Sequence, residues 1–146
     1  MKTIVKTFNN LTINELYQLL RLRSEVFVVE QDCVYQDIDN KDQKALHLFI
    51  KKDNIIIGYT RLFNAGDYFK QASIGRVVVQ ENYRDKDLGH LLMKESIETV
   101  KKHFYTSEIT ISAQTYLKKF YQYHKFVKVG KEYLEDNIPH IKMILK

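Results

Sequence analysis

Between residues 74 and 112 the chain reads as an apolar run, a long amphipathic stretch and a second apolar run, and this order constrains the fold more than any other feature. The first run ends in Val77-Val78-Val79, residues suited to a buried strand. Leu88, Leu91, Leu92, Ile97, Val100 and Phe104 then recur at helical spacing, and EITIS at 108–112 returns to strand. A connection of this length brings the second strand back parallel to the first, as a right-handed crossover. The architecture is therefore mixed α/β, a central sheet covered by helices.

The flanks predict antiparallel hairpins. Residues 3–8 form a first strand, and Thr12-x-x-Glu15 is a capping box ahead of a helix carrying Ile13, Leu16, Tyr17 and Leu20. Ser24 is placed to cap a short second helix through Gln31, although SEVFVVEQ is rich enough in β-branched residues to be a strand. Residues 32–43 read as loop. Leu46, Leu48 and Ile50 alternate as a strand, and Asp53-Asn54 turns it into IIIGYTRLF. Gly66-Asp67 makes another turn before a strand over 71–79. Leu117, Phe120, Tyr121 and His124 share a helical face. After Phe126 the chain is strand material, broken at Gly130 and around Asp136-Asn137 and resuming at Ile141.

No repeat, linker or low-complexity tract divides the 146 residues, so 1–146 is read as a single domain. A chain of this size buries about two-thirds of its unfolded surface and needs no metal or disulfide staple. Its 45% hydrophobic and 28% charged residues exclude a disordered or fibrous chain. The unusual counts are 5 Gly and 1 Pro, against roughly 10 and 7 at average usage. Cys33 is the only cysteine, which suits a reducing compartment, and no apolar run reaches the ~18 residues of a membrane helix. MKTIVKTFNN has no hydrophobic core of signal-peptide length. The expectation is a cytoplasmic protein without a membrane partner. The net charge is +5, but the lysines are dispersed, at most paired as Lys51-Lys52 and Lys101-Lys102, with no nucleic-acid recognition motif.

The chemistry concentrates where the Val77–Val79 strand meets the long helix, in QENYRDKDLGHLLM. A helix that starts just after a buried strand offers unpaired N–H groups to an anion, and Arg84, Lys86 and His90 surround that end. With this segment the chain resembles the GNAT-type N-acetyltransferases, and within them the ElaA-like branch. The resemblance runs from LYQLLRLRSEVFVVEQDCVYQDID through IGRVVV and YRDKDLGHLLM to AQTYLKKFY and EYLEDNIPHIKM. It implies a single-domain acyl-CoA N-acyltransferase fold, with a twisted, mixed, mostly antiparallel sheet that splays to admit acetyl-CoA. Val77, Val78 and Val79 would offer backbone groups to the pantetheine and thioester. The turn of Arg84, Asp85, Lys86, Asp87, Leu88, Gly89 and His90 would cradle the pyrophosphate, and Gln114 would contact the cofactor. No metal is implied. The family pattern has Gly where this chain has Asp85 and Asp87, and again at Lys125 before Phe126. Asp adds bulk and like charge beside phosphate, although it also favours a helix start.

Three residues are candidates for proton chemistry. Tyr121 matches the family tyrosine near the thioester sulfur, and reference pKa values of 8.5 for a thiol and 10 for a phenol put proton transfer at about 2 kcal/mol. Glu30, on the face of Val26 and Phe27, is expected to be partly desolvated and raised toward a useful base. His140, in IPHIKM, lies on the strand face opposite Ile141 and Met143, which either lines the cleft or meets solvent. His47 has the same ambiguity, and solvent is expected for it. Residues 24–42 carry six carboxylates against Lys41 alone, a local charge of −5. Beside the cleft this would be an acidic wall for a cationic acceptor amine, either a small molecule or a protein lysine. The reading is thus an N-acetyltransferase using direct attack by the amine. The alternative is a catalytically weak acyl-CoA-binding sensor or interaction module of the same fold. A homodimer is compatible with either.

Overall fold

A single seven-stranded sheet runs through the computed structural model, which describes residues 1–146. The strands are β1 (Lys2–Thr7), β2 (Leu46–Lys52), β3 (Ile55–Phe63), β4 (Ala72–Val79), β5 (Ile109–Gln114), β6 (Val127–Glu135) and β7 (Ile138–Leu145). They lie in the order β1-β2-β3-β4-β5-β7-β6, and every pairing is antiparallel except β4 with β5. Helix α2 (Leu88–Phe104) is the crossover that makes this one parallel pair, as the strand–helix–strand order requires. Helices α1 (Ile13–Arg23) and α3 (Lys118–Tyr123) complete the set.

Alternation along the strands supplies two cores. On β2, Leu48 and Ile50 face α2, where they pack with Leu88, Leu92, Met93 and Val100. Phe49 faces the other way, into a cluster with Leu19 and Leu22 of α1 and with Tyr59 and Val78. Gly58 lets α2 approach closely, since a Cβ there would sit 3.0 Å from Leu92.

Chain reversals explain the scarcity of glycine. Asp53 and Asn54 both take positive φ, as do Asp136 and Asn137, so each pair makes a tight left-handed hairpin turn of the kind usually built on glycine. Asp and Asn tolerate this region better than other side-chain-bearing residues. The Asp136-Asn137 break is therefore a hairpin joining β6 to β7. Gly130 does not end a strand: it sits at positive φ within a register shift of β6.

Two further expectations are corrected. Ser24 does not start a new helix. The chain passes from α1 directly into a π-helical turn over Ser24–Glu30, whose wider spacing leaves only Val26 fully buried. His47 does not meet solvent. It is 0% exposed, with Nε2 donating to the Asp42 carbonyl at 2.9 Å and Nδ1 accepting from the Tyr59 hydroxyl at 2.6 Å. Burial accordingly holds its pKa below the ordinary histidine value.

The capping box is present. The Glu15 amide donates to Thr12 Oγ1 at 3.1 Å, and the Thr12 amide donates to Glu15 Oε1 at 2.9 Å. Lys6 and Lys51 also reach this carboxylate, at 2.9 and 3.4 Å. Burial opposes its charge, but the hydrogen bond from Lys6, the Thr12 amide and the Lys51 contact outweigh burial and lower its pKa from 4.5 to about 2. A carboxylate with a depressed folded-state pKa stabilises the fold above the unfolded value, and that stabilisation is lost as pH falls through the folded value. Glu15→Gln is expected to destabilise the protein by on the order of 2 kcal/mol at pH 7. Denaturant titrations at successive pH values should also show the loss between pH 4.5 and about 2 flattened in the variant.

Candidate active site

The parallel pairing of β4 with β5 extends over only two register pairs, Ala72 with Ile109 and Ser73 with Thr110. Beyond them the strands diverge. On the other side of β4, Tyr59 faces Val78 and Arg61 faces Gly75, so Arg76 and Val77 share the single partner Thr60 in a bulge. Arg76 takes a φ of 50°, costly for a residue with a long side chain. The bulge bends β4 away from β5 and opens a cleft of about 400 Å³. Val77, Val78 and Val79 line one side of it, with Gln114 and Tyr121 on the other. The β4 edge from Gly75 to Val79 has no strand partner on the cleft side. Such backbone groups call for a ligand that can pair with them, which suits the amide-bearing arm of an acyl-CoA.

The strained bulge is held by charge. Arg76 lies 2.8 Å from Asp37 Oδ1 and 3.4 Å from Asp39, with its guanidinium over the Tyr35 ring. Arg23, 0% exposed, bonds Asp37 at 3.0 Å and Asp42 at 2.8 Å, and Arg61 bridges Asp39 and Asp42 at 2.9 Å each. Burial would raise the Asp42 pKa, but Arg23 and Arg61 hold it below the ordinary value. The acidic wall expected from residues 24–42 is thus corrected. Asp37, Asp39 and Asp42 are neutralised by arginines from α1, β3 and β4, and Glu25 and Glu30 are paired with Arg21 and Arg84, which leaves Asp32 alone of the six without an ion pair.

Glu30 is also corrected as a desolvated base. Its carboxylate is half-exposed and accepts a two-pronged hydrogen bond from Arg84. That bond lowers its pKa, against a smaller opposing effect of burial. Arg84 is held further by its Nε bond to the Val79 carbonyl at 3.1 Å.

Tyr121 is buried in the cleft wall, 6% exposed, its ring edge-on to Phe120 and Phe126. Burial raises its phenol pKa, with Tyr116 adding a smaller push. Proton transfer from it is therefore more costly than reference values imply, and its better-matched role is to donate a hydrogen bond while remaining protonated. Gln114 and Gln31 exchange reciprocal amide bonds at 3.3 Å across the cleft.

His140 lines the cleft and is 6% exposed. Its Nδ1 donates to the Ile138 carbonyl at 2.7 Å, which leaves Nε2 as the acceptor nitrogen of the neutral ring. Nε2 makes no hydrogen bond within the protein and lies 3.4 Å from Glu135 Oε2. Glu135, Tyr133 and Ser112 were missed in the sequence. The signal was the Asp136-Asn137 turn: read as a two-residue hairpin, it pairs Glu135 with Ile138 and Tyr133 with His140.

A family model described as an acetyltransferase (GNAT) domain matches residues 10–146. The chain belongs to the GNAT acetyltransferase family. It is 39% identical over 137 residues to ElaA of Escherichia coli K12, covering 92% of this chain and 90% of that protein. A UPF0039 protein of Schizosaccharomyces pombe is 38% identical over 148 residues, covering 100% of this chain and 97% of that one. Among solved structures, an acyl-CoA N-acyltransferase from Pseudomonas aeruginosa superposes with a TM-score of 0.93 at 39% identity, over 99% of both chains. E. coli ElaA superposes equally well, with a TM-score of 0.93 at 36% identity over 100% of both chains. The splayed mixed sheet is thus the GNAT fold, and acyl transfer is its general chemistry. No helix is long and apolar enough to cross a membrane, and no group of three or more His, Cys, Asp or Glu side chains is arranged to hold a metal.

Two of the three departures from the GNAT glycine pattern, at Asp87 and Lys125, have a backbone account, and Asp85 has none. Asp87, at the start of α2, has a φ of 56°, and its side chain makes no capping bond. The carboxylate stands exposed at the N-terminal end of α2, where its charge favours the helix start without a capping bond. Lys125 has a φ of 74°. Both are left-handed positions that favour glycine. Gly89 differs, because a Cβ there would meet only Phe120 at an ordinary 3.5 Å, so nothing within the chain requires a glycine. Lys86 rests over the Tyr83 ring, 5.4 Å from its centroid, and His90 Nδ1 is 2.9 Å from His124 Nε2. Asp87→Gly and Lys125→Gly are each expected to stabilise the fold by about 1 kcal/mol in thermal denaturation. Asp87→Gly should also tighten CoA binding several-fold by calorimetry, because it removes a carboxylate two residues before Gly89, which lines the cleft.

Proposed function

We propose that this protein transfers the acetyl group of acetyl-CoA to the nitrogen of a primary amine by direct attack. The observation that carries the reading is the unpaired β4 edge opposite Tyr121 in a cleft of GNAT shape. In this reading the pantetheine arm adds along Val77–Val79, and the N–H groups near Val78 and Val79 receive the thioester oxygen as it gains negative charge. The N-terminal end of α2, with Leu88, Gly89 and His90, meets the pyrophosphate. Lys86 is the available cation of that turn, since Arg84 is held by Glu30. Gln114 steadies the acyl-CoA arm.

An alkylammonium has a pKa near 10.4 and cannot attack until it loses a proton. His140 Nε2, the unprotonated nitrogen of the ring, is the base in this reading. The amine nitrogen bonds to the carbonyl carbon and the carbon–sulfur bond breaks. Of the two protons the nitrogen sheds, one rests on His140 until solvent removes it, and the other ends on the thiol of CoA. Tyr121 donates a hydrogen bond to the departing sulfur.

Amine-dependent release of free thiol from acetyl-CoA, followed together with calorimetric acetyl-CoA binding, tests the proposal. Binding without thiol release across a broad amine panel would favour an acyl-CoA sensor. Tyr121→Phe is expected to lower kcat roughly ten- to a hundredfold, the value of a hydrogen bond to a charged group, and to leave acetyl-CoA affinity nearly unchanged. Unchanged turnover would remove Tyr121 from the mechanism.

A further inference from the structure

Most charged groups of the cleft already have partners. Arg84 is held by Glu30, and Arg76 by Asp37 and Asp39. The charges left open lie at the end of the cleft formed by β5, β6 and β7, where Glu135, Asp136 and His140 line it. Glu135 Oε1 accepts from Ser112 Oγ at 3.2 Å, and that hydroxyl also bonds the Tyr133 hydroxyl. The other carboxylate oxygen, Oε2, faces His140 Nε2 at 3.4 Å. With the Nδ1 proton committed to Ile138, the neutral form of the ring presents its Nε2 lone pair to this carboxylate, two acceptors that a donor placed between them would satisfy. His140 is more than nine-tenths buried, whereas Glu135 is 45% exposed, so the pair is rigid on one side and open on the other.

We infer that this pair is the acceptor subsite. Glu135 holds an alkylammonium group with one N–H directed at His140 Nε2, and the acceptor carries no carboxylate beside its amine. The inference rests on the acyltransferase reading above. It returns the acceptor to a cation by a different route, through the β6–β7 hairpin instead of residues 24–42. A carboxylate next to the amine would meet Glu135 and Asp136, while Arg76 and Arg84, the arginines of the cleft, are bonded to carboxylates. Glu135 acts on the ammonium and, after proton transfer, on the imidazolium. Ser112 and Tyr133 are positioning residues that fix its carboxylate.

Steady-state thiol release should be measured with 1,4-diaminobutane, with Nα-acetyl-lysine amide and with glycine, in the natural protein and in Glu135→Gln. The first two separate a free polyamine from a lysine side chain as the source of the same group. Either or both should be used in preference to glycine. Glu135→Gln is expected to raise KM for the preferred amine roughly ten- to a hundredfold, while calorimetric acetyl-CoA affinity stays within twofold. Unchanged KM, or preference for glycine, overturns the subsite and leaves the acyltransferase reading standing. A second readout is independent of turnover: the His140 ring 15N signal, followed as 1,4-diaminobutane is added to the CoA-bound protein. A saturable shift in the natural protein that Glu135→Gln weakens supports the subsite even where no thiol is released; no shift overturns it.

Discussion

The two register pairs that join β4 to β5 set the rest of the molecule. They close the sheet at Ala72–Ile109 and Ser73–Thr110, and everything beyond them is pried apart by the Arg76 bulge. Unpaired backbone inside a protein is unfavourable by about 1–3 kcal/mol for each buried group. An open strand edge next to a cavity therefore persists only where water or a ligand completes it. A longer parallel ladder would stabilise the sheet and abolish the cleft. The limit on that ladder is the structural origin of the site.

The bulge in turn depends on charges drawn from separate parts of the chain. Arg23, Arg61 and Arg76 come from α1, β3 and β4, and their carboxylates from the loop between the π-helical turn and β2. Buried ion pairs contribute little net stability against a well-packed apolar alternative, yet removing one partner is strongly destabilising. Their value here is geometric. Asp37 alone contacts Arg23, Tyr35 and Arg76, so the loop, the helix and the strained strand are fixed relative to one another.

The fold was largely legible because its signals are local. The bounds of α2 follow from leucine spacing, α1 starts where Thr12 and Glu15 cap it, and Asp53-Asn54 turns β2 into β3. The π-helical turn was not, since seven residues rich in valine carry no period that separates it from a short helix or a strand. The site was legible in its residue types and not in their ionisation. Tyr121, His140 and Gln114 do line the cleft. Whether Glu30 is a base depends on Arg84, 54 positions away, and whether the stretch from Asp37 to Asp42 is acidic depends on arginines up to 39 positions distant. Composition gives a segment's formal charge, but only the fold decides which charges are already spent on each other.

The same coupling bears on the two candidate bases of the proposed reaction. Moving a proton from an ammonium of pKa near 10.4 to a carboxylate at its ordinary value near 4.3 is uphill by about 8 kcal/mol, against about 5 kcal/mol for an imidazole near 6.5. The difference corresponds to roughly a hundredfold in rate or more if the proton is lost before attack. Arg84 increases the handicap of Glu30, because every interaction that steadies its carboxylate makes it a weaker base. At His140 the Ile138 carbonyl holds the tautomer whose Nε2 carries a free lone pair, with Glu135 Oε2 3.4 Å from that nitrogen. An arginine occupies the Glu30 carboxylate, while the Nδ1 bond to Ile138 leaves the His140 Nε2 lone pair free within the same cleft.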